Sequence, residues 1–247
     1  MLRAARVTKS RMTLYPGKQL GAFRGVRLIA CRTFRLPMWA AILVLIASAA
    51  IVLANVSSLR DPILRIAGRA LVVNQPVAPA DIIVLAVDSG AAGALEAADL
   101  VHRGIANRVG VFTDPMTEED REFIRRGLPY DDEGARQIYQ LQLLGVTNVV
   151  EISRVNGSDD EAQVLSAWCD RQHVRSVVFV ATKDHSRRLR RVLDRVMEGH
   201  STQVMVRAAR YSSFDPDRWW ETRLGVRIEI IEFEKLLLDV VLHPLSP

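Results

Sequence analysis

Between Leu36 and Leu59 the chain carries no charged residue, and the centre of that stretch, Met38–Val56, reads MWAAILVLIASAAIVLANV. No other feature restricts the fold as strongly. Those nineteen residues, if helical, rise roughly 28 Å, close to the roughly 30 Å hydrocarbon core of a bilayer. Trp39 stands at one end, where interfacial aromatic side chains are enriched. A secretory signal has a shorter apolar region, about 7–15 residues, and a small-x-small cleavage site. The alanines around Ala47–Ala50 leave cleavage open, but the run continues unbroken through Ile51-Val52-Leu53. A helix buried in a soluble core is a third reading, and the basic residues ahead of it count against that. The expectation is one uncleaved transmembrane helix over 38–56.

Charge supports this reading. The 247 residues include 33 Lys and Arg against 28 Asp and Glu, a formal net charge of +5 that by itself raises the question of nucleic acid. Its location answers the question. Residues 1–37 hold nine basic side chains (Arg3, Arg6, Lys9, Arg11, Lys18, Arg24, Arg27, Arg32, Arg35) and no acidic one, whereas the remaining 210 residues carry a net −4. Positive flanks stay on the cytoplasmic side. The tail is therefore expected to be cytoplasmic and unstructured, and 57–247 to lie across the membrane, in the periplasm or outside if the source is bacterial. A nucleic-acid partner is excluded. Cys31 and Cys169 then sit in different compartments and cannot pair, and Cys169 reads as a buried free thiol.

After a linker, 57–80, strands and helices alternate. Asp81–Val87, Arg108–Phe112, Asn148–Ile152, Arg175–Ala181 and Gln203–Arg207 read as five strands. Continuous apolar runs such as DIIVLAV suit strands covered on both faces. Between them, Ala91–Arg103, Thr117–Arg126, Glu133–Leu144, Ser158–Arg171 and Asp184–Met197 have helical spacing, two of them ending at Gly104 and Gly145. This is the pattern of an α/β fold: a parallel sheet of about five strands with helices on both faces. In the C-terminal part Gly225–Ile231 alternates like a strand and Ile231–Leu242 looks helical, with Trp219-Trp220 read as core packing in preference to a contact with membrane or glycan.

Ligands of open parallel sheets lie beyond the carboxyl ends of the strands, where strand order reverses. That directs attention to Asp88–Gly90, Thr113–Asp114, Arg154–Ser158 and Thr182–Arg188. In the helix after the fourth strand, Leu189, Val192, Leu193 and Val196 form an apolar stripe. His185 projects within about 30° of its centre, Arg188 lies about 90° away at its border, and Arg187 and Arg191 point away into solvent. Arg190 and Arg195 read as solvated surface too. Lys183, His185 and Arg188 at a helix start make a candidate pocket for a phosphate or carboxylate. The competing reading is a satisfied core histidine on an arginine-rich surface helix. Asp88 and Ser89 offer a carboxylate and a hydroxyl near the crevice, and as a bare pattern are equally a turn. Ser158-Asp159-Asp160-Glu161 reads as a capping box, with Ser158 at N-cap and Glu161 at N3. No dinucleotide or phosphate-binding glycine motif, metal-ligand spacing or nucleophile elbow is present in the sequence, so no cofactor or metal is expected.

Taken together, Val180-Ala181-Thr182-Lys183-Asp184-His185-Ser186-Arg187-Arg188, the Leu100-x-x-x-Gly104 helix end and Trp219-Trp220…Glu234-Lys235-Leu236 resemble the bacterial SanA/ElyC/YdcF-like family over roughly 81–242. The resemblance implies a Rossmann-like domain, often behind a single membrane anchor, associated with envelope integrity and with peptidoglycan-precursor or lipid-carrier metabolism. It places His185 and Arg188 on the family's His-x-x-Arg pair, Thr182 on its small hydroxyl residue and Ser158 on its usual Thr. The chain departs from the family where Gly-Gly after the first strand is Val87-Asp88, where an Arg is replaced near Gly93 or Ala94, and where Ala181 stands for a Thr.

Two functional expectations follow from the resemblance. One is an anchored envelope protein that binds or processes a phosphorylated or glycosylated, lipid-linked or glycan precursor. In it His185 and Asp88 are catalytic, and Arg188, Lys183, Thr182, Ser89 and Ser158 bind the ligand. The other is a non-catalytic partner- or ligand-binding module with a degenerate site. A cytosolic nucleotide- or S-adenosylmethionine-binding enzyme lacks both its glycine loop and its topology.

Overall fold

The structure, a computed structural model, describes residues 37–244 apart from 114–115, 130–131, 154 and 156, and leaves aside the side chains of Ala50, Leu53, Ala54 and Ser158. The basic tail, Cys31, Asp114 and Arg154 lie outside the described residues. The chain divides after Ser48 into two units.

The described part of the first unit is the start of helix α1 (Met38–Asn55), which has 18 residues and no charge. Counted over the described residues, no helix is long and apolar enough to cross a membrane.

The second unit holds helices α2 (Ser57–Ala70), α3 (Gly90–His102), α4 (Glu118–Arg125), α5 (Glu133–Leu143), α6 (Ser158–Gln172), α7 (Ser186–Val196) and α8 (Arg223–Leu242). Its strands are β1 (Ile82–Leu85), β2 (Val109–Phe112), β3 (Val149–Ile152), β4 (Ser176–Ala181) and β5 (Gln203–Ala208). All five strands are parallel, in the order β3-β2-β1-β4-β5. Every β1 residue is buried, and period-2 geometry divides them between two cores. Ile82 and Val84 join Phe179, Leu165, Leu189 and Val192 under α6 and α7. Ile83 and Leu85 join Val178, Val180, Leu100 and Leu141 under α3 and α5. The expected five-stranded parallel sheet with helices on both faces is therefore present. Cys169 is free and fully buried, and burial pushes its thiol up to about 11.

Three expectations fail. The stretch 57–80 is not simply a linker, since its first part is α2. Its remainder lies along β5: Gln75 N–H donates to Val206 O (2.9 Å), Val206 N–H to Gln75 Oε1 (2.7 Å) and Ala208 N–H to Asn74 Oδ1 (3.3 Å). The strand expected over Gly225–Ile231 is the first part of α8. The Thr222 hydroxyl accepts from Gly225 N–H (2.9 Å), and burial follows Gly225, Glu229, Glu232, Leu236 at helical spacing. Finally, Arg187, Arg190, Arg191 and Arg195 are not solvated surface. Arg187 donates to Val72 O and Arg190 bonds Asp194 and Val204 O, while Arg191 (2.6 Å) and Arg195 (2.7 Å) both pair with Asp239 of α8. The helical wheel of α7 gives the direction of a side chain relative to the stripe, but the neighbours that cover these four could not be read from it.

Candidate functional site

The chain runs outward from central β1 in both directions, to β2 and β3 on one side and to β4 and β5 on the other, so strand order reverses between β1 and β4. The segments leaving these two strands flank the crevice where open sheets place ligands. Beyond β1, Val87–Ser89 forms a single 3₁₀ turn. Ser89 Oγ (2.6 Å) and Ser89 N–H (3.0 Å) both donate to Ala86 O, so this buried serine closes its own turn. Asp88 points outward, half-exposed. Beyond β4, Thr182 and Lys183 are half-buried. Helix α7 begins at Ser186 rather than at Asp184, because Ser186 Oγ folds back on Lys183 O (2.8 Å).

His185, only 2% exposed, is aimed inward as its position on the wheel requires. Its Nδ1 lies 2.8 Å from Arg188 Nη2, 3.7 Å from Glu232 Oε2 and 4.0 Å from Asp88 Oδ2. Arg188 in turn meets Glu232 Oε2 at 3.4 Å, and Lys235 Nζ donates to the other Glu232 oxygen at 2.6 Å. A neutral ring accepts from Arg188 at Nδ1, whereas a protonated ring donates to a carboxylate. In the protonated ring Nδ1–H would face the Arg188 donor at 2.8 Å while the Glu232 and Asp88 oxygens stand 3.7 and 4.0 Å away, so Arg188 must shift before that nitrogen donates. Burial alone lowers the His185 pKa, but Asp88 and Glu232 more than offset it, and the net displacement is upward. At Glu232 burial raises the pKa, yet His185, Lys235 and Arg188 together bring it down to about 2.

Glu161 is the residue that motif reading misassigned. The N-cap of α6 is Gly157, at φ 92°, and Ser158 is already helical, so Ser158 does not stand at the N-cap where the expected box needs it. The reciprocal cap forms instead at Thr117–Asp120. Free of that role, the Glu161 side chain is buried, and its Oε1 accepts from Val87 N–H at 2.6 Å. Burial and the neighbouring Asp88 push this carboxyl up to about 7. The backbone N–H beyond β1, the kind of group that elsewhere cradles a phosphate, is therefore held by a carboxylate of the chain itself. Asp184 is also raised, by burial and then by Asp88 and Glu232. Glu229, raised to about 7 by burial and Asp184, has both oxygens buried without a hydrogen-bond partner among the described residues.

The structure thus brings together Asp88, His185 and Arg188, and adds Glu161 and Glu232. No motif marks either addition as a site residue, the capping pattern at Glu161 pointing elsewhere. Their only sequence signal as site residues is an acidic side chain on the inward side of a helix, and Glu232 lies in the stretch 231–242 that reads as helical. Ser89 serves its turn. The Lys183 charge is felt at Asp215. Thr182 stays half-buried one residue beyond β4, and the Ser158 side chain lies outside the description. Gly93 and Ala94 leave no room for the family's arginine: Ala94 is fully buried, and a Cβ on Gly93 would come within 2.1 Å of Ser89 Oγ. Among the described residues no cluster of three or more His, Cys, Asp or Glu is arranged to hold a metal ion. Chemically the cluster can hold, give and take a proton near neutral pH. Compared with family models and with curated proteins, the chain matches none.

Proposed function

We propose that the chain is a single-pass, membrane-anchored protein of the bacterial cell envelope, of the SanA/ElyC/YdcF-like kind. Its outer α/β domain binds or processes an anionic envelope precursor, phosphorylated or glycosylated, in the crevice between β1 and β4. The anchor reading rests on the uncharged stretch 36–59, on the basic residues ahead of it, and on the exposure of Trp39, Leu45 and Ile46 along α1. The observation that carries the site reading is the meeting of Asp88 and His185, from two separate strand ends, within 4.0 Å at the reversal of strand order.

In this reading His185 is the acid/base and Asp88 steadies its charged form. Arg188 turns from Glu232 to the ligand's anion. An entering anion meets Glu161 on the Val87 N–H. With its carboxyl held near pH 7, Glu161 takes up a proton and yields that donor. Anion binding is therefore expected to consume a proton and to be tighter at pH 6 than at pH 8. Titration calorimetry with inorganic phosphate and a simple phosphomonoester, in buffers of different ionisation enthalpy, measures this directly. His185→Gln and Arg188→Ala should each weaken binding at least about tenfold, the loss expected when a charge-assisted contact worth about 1.5–3 kcal/mol disappears. Unchanged affinity in both variants would sink the reading. A reporter fused after Pro247 tests the topology, and an active cytoplasmic reporter overturns it.

A non-catalytic module of the same fold is favoured by one observation, the 2% exposure of His185 beneath the Arg188–Glu232 pair. Turnover of any envelope precursor by the purified protein excludes it.

A further inference from the structure

Helix α8 buries acidic side chains beside Leu236 and leaves apolar ones exposed. A surface helix ordinarily buries its apolar stripe and exposes its charges. Here the buried side carries Glu229, Glu232 and Asp239, the last two paired with Arg188, Arg191 and Arg195 of α7. The outward side presents Leu224, Ile230, Ile231, Leu237, Leu238 and Val241, each between 39% and 66% exposed. An apolar patch of this size on a soluble domain marks something that covers it.

Two observations identify the cover. First, a groove of about 540 Å³ lies between the 3₁₀ turn Trp219–Glu221 and the first turns of α8, where Trp220, Ile230 and Ile231 meet Arg223 and Arg227. Neither guanidinium has a carboxylate partner among the described residues. An indole, aliphatic side chains and arginines whose stems lie on apolar surface are the side-chain set of a lipid headgroup layer. Glu221 borders the groove and Glu234 lies mid-face, so the apolar area supplies the attraction and the arginines set the orientation.

Second, the start of α8 is tied to the chain just beyond the predicted span. Trp219 Nε1–H donates to Leu64 O at 2.8 Å. The backbone of Gly68 approaches so closely that a Cβ there would come within 2.3 Å of Pro216 O. Helix α2 starts at Ser57, and its rise from Val56 to Leu64 is roughly 12 Å. If 38–56 spans the bilayer, Trp219 is held within that distance of its surface.

We propose that the outward face of α8 rests in the headgroup region of the bilayer, with Arg223 and Arg227 on lipid phosphate. This rests on the anchor reading. The test uses the full chain in phosphatidylcholine vesicles, with and without phosphatidylglycerol, in a Cys31→Ser, Cys169→Ala background. An environment-sensitive fluorophore is placed at Leu238→Cys, or at the control position Arg171→Cys on α6. Acyl-brominated lipid should quench the Leu238 probe at least twofold and leave the Arg171 probe unchanged. Arg223→Ala with Arg227→Ala should halve the Leu238 quenching. An unquenched Leu238 probe on a chain that resists alkaline carbonate extraction overturns this proposal and leaves the anchor standing. A chain released by carbonate overturns both. Disulfide cross-linking of Leu238→Cys to a second copy, in place of quenching, makes the face an interface between copies and overturns the proposal as well.

Discussion

Glu161→Gln offers the sharpest test of the electrostatics beneath the site. Burial and the neighbouring Asp88 hold the wild-type carboxyl at about 7 against an ordinary 4.5, despite the hydrogen bond it accepts from Val87 N–H. Such a displacement corresponds to about 3 kcal/mol carried by the charged form in the folded state. Because the folded pKa lies above the unfolded one, the native state holds more protons between pH 4.5 and about 7, and wild-type stability falls as pH rises through that window. Glu229, raised to a similar value, contributes a slope of the same sign, so the single substitution removes only part of the dependence. The amide introduced by the substitution keeps an oxygen for Val87 N–H and has no charge to bury. The variant should match wild type near pH 4.5 and exceed it by about 3 kcal/mol at pH 8, roughly 6–12 °C in Tm for a domain of this size. Urea unfolding of the full chain in mild detergent, followed by tryptophan fluorescence at pH 4.5, 6, 7 and 8, reads both ends. A gain independent of pH, or a loss at pH 8, would refute the reasoning.

Two further outcomes are expected. Glu96 of α3 is fully buried and accepts from Arg207 Nε (2.8 Å), Arg210 Nε (2.9 Å) and Arg210 N–H (3.1 Å), so Glu96→Ala should cost about 3–5 kcal/mol in urea unfolding at pH 7. Thr222→Ala removes the side-chain cap of α8 and should cost about 1 kcal/mol by the same measurement; an unchanged midpoint would show that α8 is held by its buried face alone.

The sheet was legible because β1 and β4 are apolar on consecutive residues, a pattern only a doubly covered strand accommodates. The inward direction of His185 was legible from the stripe at Leu189, Val192 and Leu193. What local reading missed has two physical origins. Ser158–Glu161 satisfied a capping pattern, but a capping box competes with any better partner for its glutamate, and Val87 N–H is one. At 225–231 the alternation of valine, arginine, isoleucine and glutamate matches a strand only if the charged side faces water. In α8 that assumption fails at Glu229, whose carboxyl is buried and raised to about 7, while Arg227 stays exposed. A partner distant in sequence decided the first case, and burial of a carboxyl the second.

The run from Asn74 to Gln75 alongside β5 has a consequence for handling the molecule. β5 is the last strand of the sheet, and the free N–H and C=O groups of such a strand are a template on which another chain can add itself. Gln75 occupies Val206 through both its backbone and its side chain, and Asn74 takes the N–H of Ala208. The segment that looks like a dispensable connector therefore terminates the sheet. A soluble fragment trimmed to Asp81 would strip that guard from β5 and leave an open edge prone to aggregation, whereas one trimmed to Ser57 would retain it.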